Sequence, residues 1–116
     1  MLTEIQVAQA ALKALEDKKA ANIKILKTTD VTVLADYFII CTATSGTHVK
    51  SLSEEVERVL TELGEEPRRR EGKRSDSWVL LDYACVIVHI FTKDAREFYN
   101  LEKLWADAKE VLPSSL

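Results

Sequence analysis

Trp78, Asp82 and His89 interrupt an otherwise apolar stretch, SDSWVLLDYACVIVHIF, that runs from Ser75 to Phe91. Aspartate and histidine are the usual orienting group and general base of a nucleophilic enzyme, so these residue types invite a catalytic interpretation. Such a site also needs a nucleophile within hydrogen-bond reach of the base. Whether the stretch brings these groups together depends on how it folds.

The stretch is too long for an ordinary single strand, so it predicts two strands joined by a turn. A two-residue turn at Tyr83-Ala84 would pair Asp82 with Cys85, Leu80 with Ile87, and Trp78 with His89. Tyr83-Ala84 lacks the Gly or Asn that such turns favour, so a looser turn is also compatible with the sequence.

Side chains alternate between the two faces of a strand, so this pairing sorts the hairpin into two faces. One face is aliphatic and belongs in the core: Val79, Leu81, Val86, Val88 and Ile90. The other carries the polar and aromatic groups: Trp78, Leu80, Asp82, Cys85, Ile87 and His89. Cys85 would face Asp82, where like-charge repulsion raises the pKa of a thiol. No nucleophile and base come together, and we expect no catalytic residue.

Two interpretations of the polar face remain once catalysis is set aside. It could be a structural face beneath a helix, with its polar tips hydrogen-bonded inside the protein. It could instead bind another protein, because Trp, Tyr and Arg are the usual anchors of interface hot spots. Trp78 and Tyr83 would then be joined by Arg96, Tyr99 and Trp105, just beyond the hairpin.

The first half of the chain predicts a helix followed by strands. Thr3 and Gln6 form a capping-box pattern, after which apolar residues recur at helical spacing. The alternation in ANIKILK, residues 21–27, is typical of a half-buried strand. Residues 31–34 favour a short strand or a turn. DYFIICTAT, residues 36–44, predicts a central strand buried on both faces.

The second half predicts two more helices around the hairpin. Ser45 or Thr47 would cap the second helix and Gly64 would end it. Its apolar stripe is Val49, Leu52, Val56, Val59, Leu60 and Leu63. Asp94 opens a last helix that Pro113 stops, with a stripe made of Phe98, Leu101, Trp105 and Ala108. The element order predicts an α/β fold, a mixed β-sheet with flanking helices.

Composition sets the class of protein. The chain has 116 residues, 47% of them hydrophobic and 30% charged, with a net charge of -3. These values are typical of a single globular domain over residues 1–116. No apolar run could span a bilayer, and the acidic N-terminal segment predicts no signal peptide. Cys41 and Cys85 predict reduced thiols, and together these features predict a cytoplasmic protein.

Four segments carry a resemblance to a known family. They are ADYFIICTATSGTHVKSL (Ala35 to Leu52), Glu71-Gly72, SWVLLDYACVIVHIF, and REFYNLEKLW (Arg96 to Trp105). The order and spacing of W-V-L-L-D, V-H-x-F and R-x-F-Y-x-L-E-x-L-W are specific. Over nearly its whole length the chain resembles the ribosomal silencing factors, also called Iojap-related proteins. The chain departs from that family at Ala84 and Cys85, where Gly and then Asp are common.

The resemblance implies a topology similar to the nucleotidyltransferase fold but without its active site. It also implies binding to the large ribosomal subunit through the ribosomal protein numbered fourteen. A protein docked there would block joining of the small subunit and repress translation under nutrient limitation or in stationary phase. A homodimer and a role in large-subunit assembly are further expectations from the family.

The resemblance assigns the partner-binding residues by position. They are Trp78, Leu80, Asp82, His89, Arg96, Tyr99, Glu102 and Trp105. The basic segment PRRREGKR, Pro67 to Arg74, would contact ribosomal RNA through its Arg68–Arg74 loop or would simply be a solvated loop, and its glutamates favour the second.

A nucleotidyltransferase is the main rival interpretation. That chemistry needs a Gly-Ser loop for the triphosphate and two strand carboxylates two residues apart for metal ions. Here Ser45-Gly46 has the reverse order, and Asp82 has no acidic residue at position 80 or 84. The histidines and cysteines have no zinc-ligand spacing either. We therefore expect no enzyme, metal or cofactor, and the alternative is an inactive homodimeric interaction module.

Overall fold

Four helices and six strands make up the fold in the computed structural model, which describes residues 2–30, 35–72, 76–113 and 116. The helices are α1 (Glu4–Asp17), α2 (Gly46–Glu62), α3 (Lys93–Tyr99) and α4 (Leu101–Leu104). The strands are β1 (Ala21–Lys27), β2 (Tyr37–Ala43), β3 (Arg69–Glu71), β4 (Trp78–Asp82), β5 (Val86–Thr92) and β6 (Lys109–Val111). The strand or turn predicted at residues 31–34 lies outside the described residues.

The strands form one mixed sheet in the order β3-β4-β5-β2-β1-β6. The central pair, β2 and β5, is parallel. The other pairs are antiparallel. The predicted α/β architecture, a mixed sheet with flanking helices, is confirmed.

The predicted start of α1 is confirmed. Thr3 Oγ1 accepts a hydrogen bond from the Gln6 N–H, and Gln6 Oε1 accepts one from the Thr3 N–H, at 3.1 and 2.9 Å. This capping box satisfies two backbone donors that the first helical turn leaves free. The apolar stripe that follows is buried against the sheet: Val7, Ala8, Ala11, Leu12 and Leu15.

The ends of α2 also follow the sequence signals. Ser45 Oγ accepts a hydrogen bond from the His48 N–H at 3.1 Å and is the N-cap. Gly64 has φ +89° just past the helix, and the Glu65 N–H donates to the Leu60 carbonyl at 2.8 Å. Such a left-handed ending favours glycine. Leu63, predicted within the buried stripe, is 51% exposed at the helix end.

Strand β2 divides the interior into two cores because its side chains alternate between faces and all are buried. Helices α1 and α2 cover the first face, which we call the main core and which includes Ile39, Cys41, Leu52 and Val88. The opposite face holds the second core: Leu26, Ala35, Phe38, Ile40, Leu80, Ile87, Phe91 and Ala95.

Replacing Val88 by alanine should lower the free energy of unfolding by roughly 1–3 kcal/mol, because Val88 is fully buried between β2 and β4. Val59→Ala provides a matched control, since Val59 is only partly buried on α2 and should cost less. Urea unfolding followed by circular dichroism measures both. Equal losses would show that Val88 does not sit in a close-packed core.

The single last helix predicted from Asp94 to Pro113 was wrong. α3 begins at Lys93 with Asp94 in its first turn, as expected, but ends at Asn100, whose φ of +47° and ψ of +52° are left-handed. Asparagine tolerates this conformation better than most residues. The chain then forms the short α4 and the edge strand β6, which pairs with β1.

Candidate functional site

The hairpin of β4 and β5 pairs two residues away from the predicted register. The observed pairs are Trp78 with Phe91, Leu80 with His89, and Asp82 with Ile87. A shift of two residues keeps each side chain on its original face. The predicted faces are therefore correct for the residues within β4 and β5, although the individual partners were wrong.

The turn lies at Ala84-Cys85 rather than at Tyr83-Ala84. The Tyr83 N–H donates to the Val86 carbonyl at 2.9 Å, and the Cys85 N–H donates to the Tyr83 carbonyl at 2.8 Å. Ala84 is left-handed, with φ +69°, and its N–H donates to Asp82 Oδ1 at 2.8 Å. The side chain of Cys85 packs against the main core, so its predicted place on the polar face was wrong.

The side chain of Asp82 is buried and forms an ion pair inside the protein. Its side chain is 1% exposed, and Oδ2 accepts a hydrogen bond from Arg68 Nη2 at 3.0 Å. Arg69 Nη2 lies 3.7 Å from the same oxygen. A buried carboxylate needs such partners, because its charge is costly away from water. Asp82 therefore ties β3 and the hairpin turn together and does not reach the surface.

The predicted basic loop is in part an edge strand. Arg69, Arg70 and Glu71 form β3, and all three are exposed. Arg70 Nε donates to Glu57 Oε1 at 2.7 Å, so each arginine from 68 to 70 has a carboxylate partner within the chain. Residues 73–75 lie outside the described residues. The contact with ribosomal RNA stays a prediction.

The polar face carries a continuous set of ring contacts, which we call the aromatic run. Successive ring centroids lie 5.2 to 6.0 Å apart, within the range of favourable aromatic pairs. The run contains Phe98, Tyr99, Trp78, Phe91, His89, Phe38 and Trp105. Both tryptophans and all three phenylalanines of the chain belong to it.

One end of the aromatic run is open to solvent. Phe98 is 81% exposed and Tyr99 is 52% exposed, while Trp78 is half-buried beside them. We call these three residues the exposed end. Sequence reasoning missed Phe98 by placing it in a core-facing stripe. Adjacent aromatic residues such as Phe98 and Tyr99 point about 100° apart on a helix, so both cannot face one core.

The other end of the run is covered by the C-terminal segment. Leu101, Trp105 and Ala108 pack against the second core, and Trp105 meets Phe38 edge-on at 5.4 Å. Leu80 and His89 lie beneath this layer and are buried. The hairpin's polar face is thus partly a structural face and partly a solvent-accessible one.

His89 has an apolar environment. Its ring lies parallel to Phe91, with centroids 6.0 Å apart, and edge-on to Phe38 at 5.2 Å. Neither ring nitrogen has a hydrogen-bond partner among the described residues. Burial lowers the pKa of His89 from 6.5 to about 4, because an apolar environment disfavours the charged imidazolium. His89 is therefore neutral at physiological pH.

Arg96 fastens the C-terminal segment to the sheet. Its Nε donates to Glu102 Oε1 at 2.7 Å, and Nη1 donates to Thr42 Oγ1 at 2.9 Å and to the Asn22 carbonyl. The hydrogen bond from Arg96 lowers the pKa of the Glu102 carboxyl, and Lys24 adds to that effect. The side chain of Arg96 is only 13% exposed. This clamp joins β1, β2 and α4.

Among the eight predicted binding residues, Trp78 and Tyr99 form an aromatic pair at the surface, with ring centroids 6.0 Å apart, while Arg96, Glu102 and Trp105 are partly exposed. Leu80, Asp82 and His89 are buried, Arg96 and Glu102 pair with each other, and Trp105 packs on Phe38. Leu80, Asp82 and His89 were predicted to bind because they share a sheet face with Trp78. The C-terminal segment and the Arg68 side chain cover much of that face.

Groups for other kinds of chemistry are not assembled in the described residues. Across 2–30, 35–72, 76–113 and 116, no three His, Cys, Asp or Glu side chains are placed to hold a metal ion. Cys41 is buried and Cys85 is half-buried, and both are free thiols. No helix within these ranges combines the length and apolar character needed to cross a membrane.

The chain is similar to proteins of one family. A family model described as ribosomal silencing factor during starvation matches residues 2–115. A ribosomal silencing factor from Halalkalibacterium halodurans is 42% identical over 106 residues, covering 91% of each chain. One from Bacillus subtilis is 37% identical over 107 residues, covering 92% of this chain and 91% of that protein. A crystal structure of a Chromobacterium violaceum protein matches with a TM-score of 0.88 at 34% identity, covering 90% of this chain and 88% of that one.

Proposed function

Because the chain belongs to the ribosomal silencing factor family, we propose that it binds the large ribosomal subunit in the cytoplasm and keeps the small subunit from joining. The protein acts by occupying a surface, not by catalysis. Its docking site on the subunit is the ribosomal protein numbered fourteen, at the face that meets the small subunit. Translation falls as a result, when nutrients are limiting or in stationary phase.

The exposed end of the aromatic run is the observation that carries this proposal. Phe98 and Tyr99 present large apolar rings to solvent, with Trp78 beside them. Exposed aromatic residues grouped in this way are typical of protein-binding surfaces. The whole chain has a net charge of -3, which favours docking on a protein over docking on a polyanionic RNA surface.

We assign direct contact with the partner to Trp78, Phe98 and Tyr99. Leu80 and His89 would support these rings from beneath, as members of the face they stand on. Arg96 and Glu102 would link α3 to α4 and so hold the end of α3, which carries Phe98 and Tyr99. Of the eight residues expected to bind the partner, only Trp78 and Tyr99 are assigned direct contact. Phe98 is a new member of the contact set.

A homodimer would use the same chemistry and is the competing use of this surface. Two copies that buried Phe98 and Tyr99 against each other would remove the exposed end from solvent. Ribosome binding and self-association would then exclude one another. The two uses differ in their concentration dependence: if dimers compete, free monomer grows only as the square root of total protein, so ribosome occupancy rises less steeply than it does for a monomer.

Co-sedimentation tests the binding step. The purified protein is mixed with isolated large subunits, or with isolated small subunits as a control, and each mixture is centrifuged through a sucrose cushion. We expect the protein to pellet with large subunits and to remain in the supernatant with small subunits. Equal recovery in both pellets, or in neither, would contradict the proposal.

A further inference from the structure

The Trp78 side chain is in close contact with the backbone of Gly72. A Cβ atom built on Gly72 would lie 2.8 Å from Cε3 of the Trp78 indole and 2.3 Å from the Trp78 carbonyl oxygen. Real Cβ atoms essentially never approach other heavy atoms below 3.0 Å. Gly72 also has φ +76°, a conformation that glycine adopts without the strain other residues meet. Only glycine fits at this position without displacing Trp78.

The chain's other positive-φ glycine lacks this contact. Gly64 has φ +89°, yet a Cβ atom there would meet nothing within 4 Å. Alanine at Gly64 and alanine at Gly72 therefore share the backbone strain of a left-handed residue. Only alanine at Gly72 adds a collision, both with the Trp78 carbonyl oxygen and with the indole. Gly64 is therefore required only for its backbone conformation, whereas Gly72 is required both for its backbone conformation and for the space beside Trp78.

The contact between Gly72 and Trp78 limits where the indole can lie on the surface. Trp78 is the first residue of β4, and Gly72 directly follows β3, the neighbouring edge strand. The indole also meets Tyr99, with ring centroids 6.0 Å apart. The ring therefore contacts both the residue that follows β3 and a residue of α3. Fixing a large side chain in advance reduces the entropy lost when it is buried on binding.

We propose that Gly72 is a positioning residue for the docking surface: the absence of a side chain there lets the Trp78 indole pack beside Tyr99 in the conformation that meets the partner. This inference rests on the proposed function, because it assigns Gly72 a role only through Trp78. Gly72 itself need not touch the partner.

A double-mutant cycle on large-subunit binding tests the proposal. Gly72→Ala should weaken binding about tenfold in the wild-type background and clearly less in the Trp78→Ala background, where the collision with the carbonyl oxygen of residue 78 remains but the indole is gone. Gly64→Ala should leave binding within about twofold, because it carries the same backbone strain without the collision. A weakening by Gly72→Ala that persists undiminished in the Trp78→Ala background, or one no larger than that of Gly64→Ala, would overturn the proposal.

Proton NMR on the free protein provides a readout that does not depend on ribosome binding. The wild type should show nuclear Overhauser effects from Trp78 Hε3 to the Gly72 α-protons and to the Tyr99 ring. Gly72→Ala should abolish the Trp78–Tyr99 effect, and Gly64→Ala should preserve it. If Trp78→Ala bound normally, the proposed contact surface would be wrong, and these spectra would still decide where the indole lies. If Gly72→Ala failed to fold, absence of the Gly72–Trp78 effect in the wild type would overturn the inference, and its presence would support it.

Discussion

Trp78→Ala is expected to weaken binding to the large ribosomal subunit about thirtyfold, a loss of about 2 kcal/mol. The indole is half-buried and contacts both Gly72 and Tyr99, so it is already ordered before the partner arrives. Alanine removes most of the apolar area that this side chain could bury at an interface. Sedimentation of each variant over a range of large-subunit concentrations gives the two dissociation constants.

Leu63→Ala is the matched control for this prediction. Leu63 is also a large exposed apolar residue, 51% accessible, but it lies at the end of α2 on the opposite side of the sheet. Its loss should leave binding unchanged. Urea unfolding of both variants separates binding from folding, because Trp78 also contacts the second core. Wild-type affinity of Trp78→Ala, or equal weakening by Leu63→Ala, would show that the docking surface lies elsewhere.

His89 should make the fold acid-sensitive. In the folded protein its pKa is about 4, whereas in the unfolded chain it returns to about 6.5. Between these values the unfolded state binds a proton that the folded state does not, so the free energy of unfolding falls as the pH is lowered. The full stabilisation is present above pH 6.5 and is lost as the pH approaches 4. The difference corresponds to roughly 3 kcal/mol.

His89→Phe should remove this part of the pH dependence, because phenylalanine fills the space between Phe38 and Phe91 without a titrating group. Urea unfolding at a series of pH values between the two pKa values measures the effect. His48→Gln, which removes the chain's other histidine, should retain the acid-induced loss. If wild type and His89→Phe lost stability in parallel on acidification, His89 would not be buried as a neutral ring.

Local signals in the sequence were sufficient where one residue determines one backbone feature. Thr3 and Gln6 predicted the start of α1, and Gly64 predicted the end of α2. The uninterrupted apolar run of β2 predicted its burial on both faces. At the two helix ends the interactions that fix the structure lie within a few residues of the signal, whereas the burial of β2 follows from its apolar composition on both faces.

The hairpin register shows the limit of pattern reasoning. Alternation has a period of two, so a pairing displaced by two residues produces the same faces and the same pattern. The hydrogen bond from the Ala84 N–H to the Asp82 carboxylate decides between them by holding Ala84 in a left-handed turn. Sequence preferences for turns favour Gly or Asn at such a position, so they do not predict that a hydrogen bond to Asp82 stabilises alanine there.

The exposed aromatic residues were predicted only in part, for a different reason. Trp78 and Tyr99 were identified from their residue types, and they do lie together. The burial of Leu80 and His89 depends on the segment that covers them, and that segment was misread as one helix. Its break at Asn100 turns Trp105 toward Phe38 and leaves Phe98 in solvent. The left-handed conformation of Asn100 thus helps to decide which aromatic rings are exposed to solvent.

Subunit joining in the presence of the protein tests the central claim most directly. Isolated large subunits are incubated with wild-type protein or with Trp78→Ala, small subunits are then added, and the products are resolved on a sucrose gradient. We predict that wild type reduces the peak of joined ribosomes and travels with the free large subunits, while Trp78→Ala at the same concentration allows joining. An undiminished peak of joined ribosomes in the presence of bound wild-type protein would contradict the account.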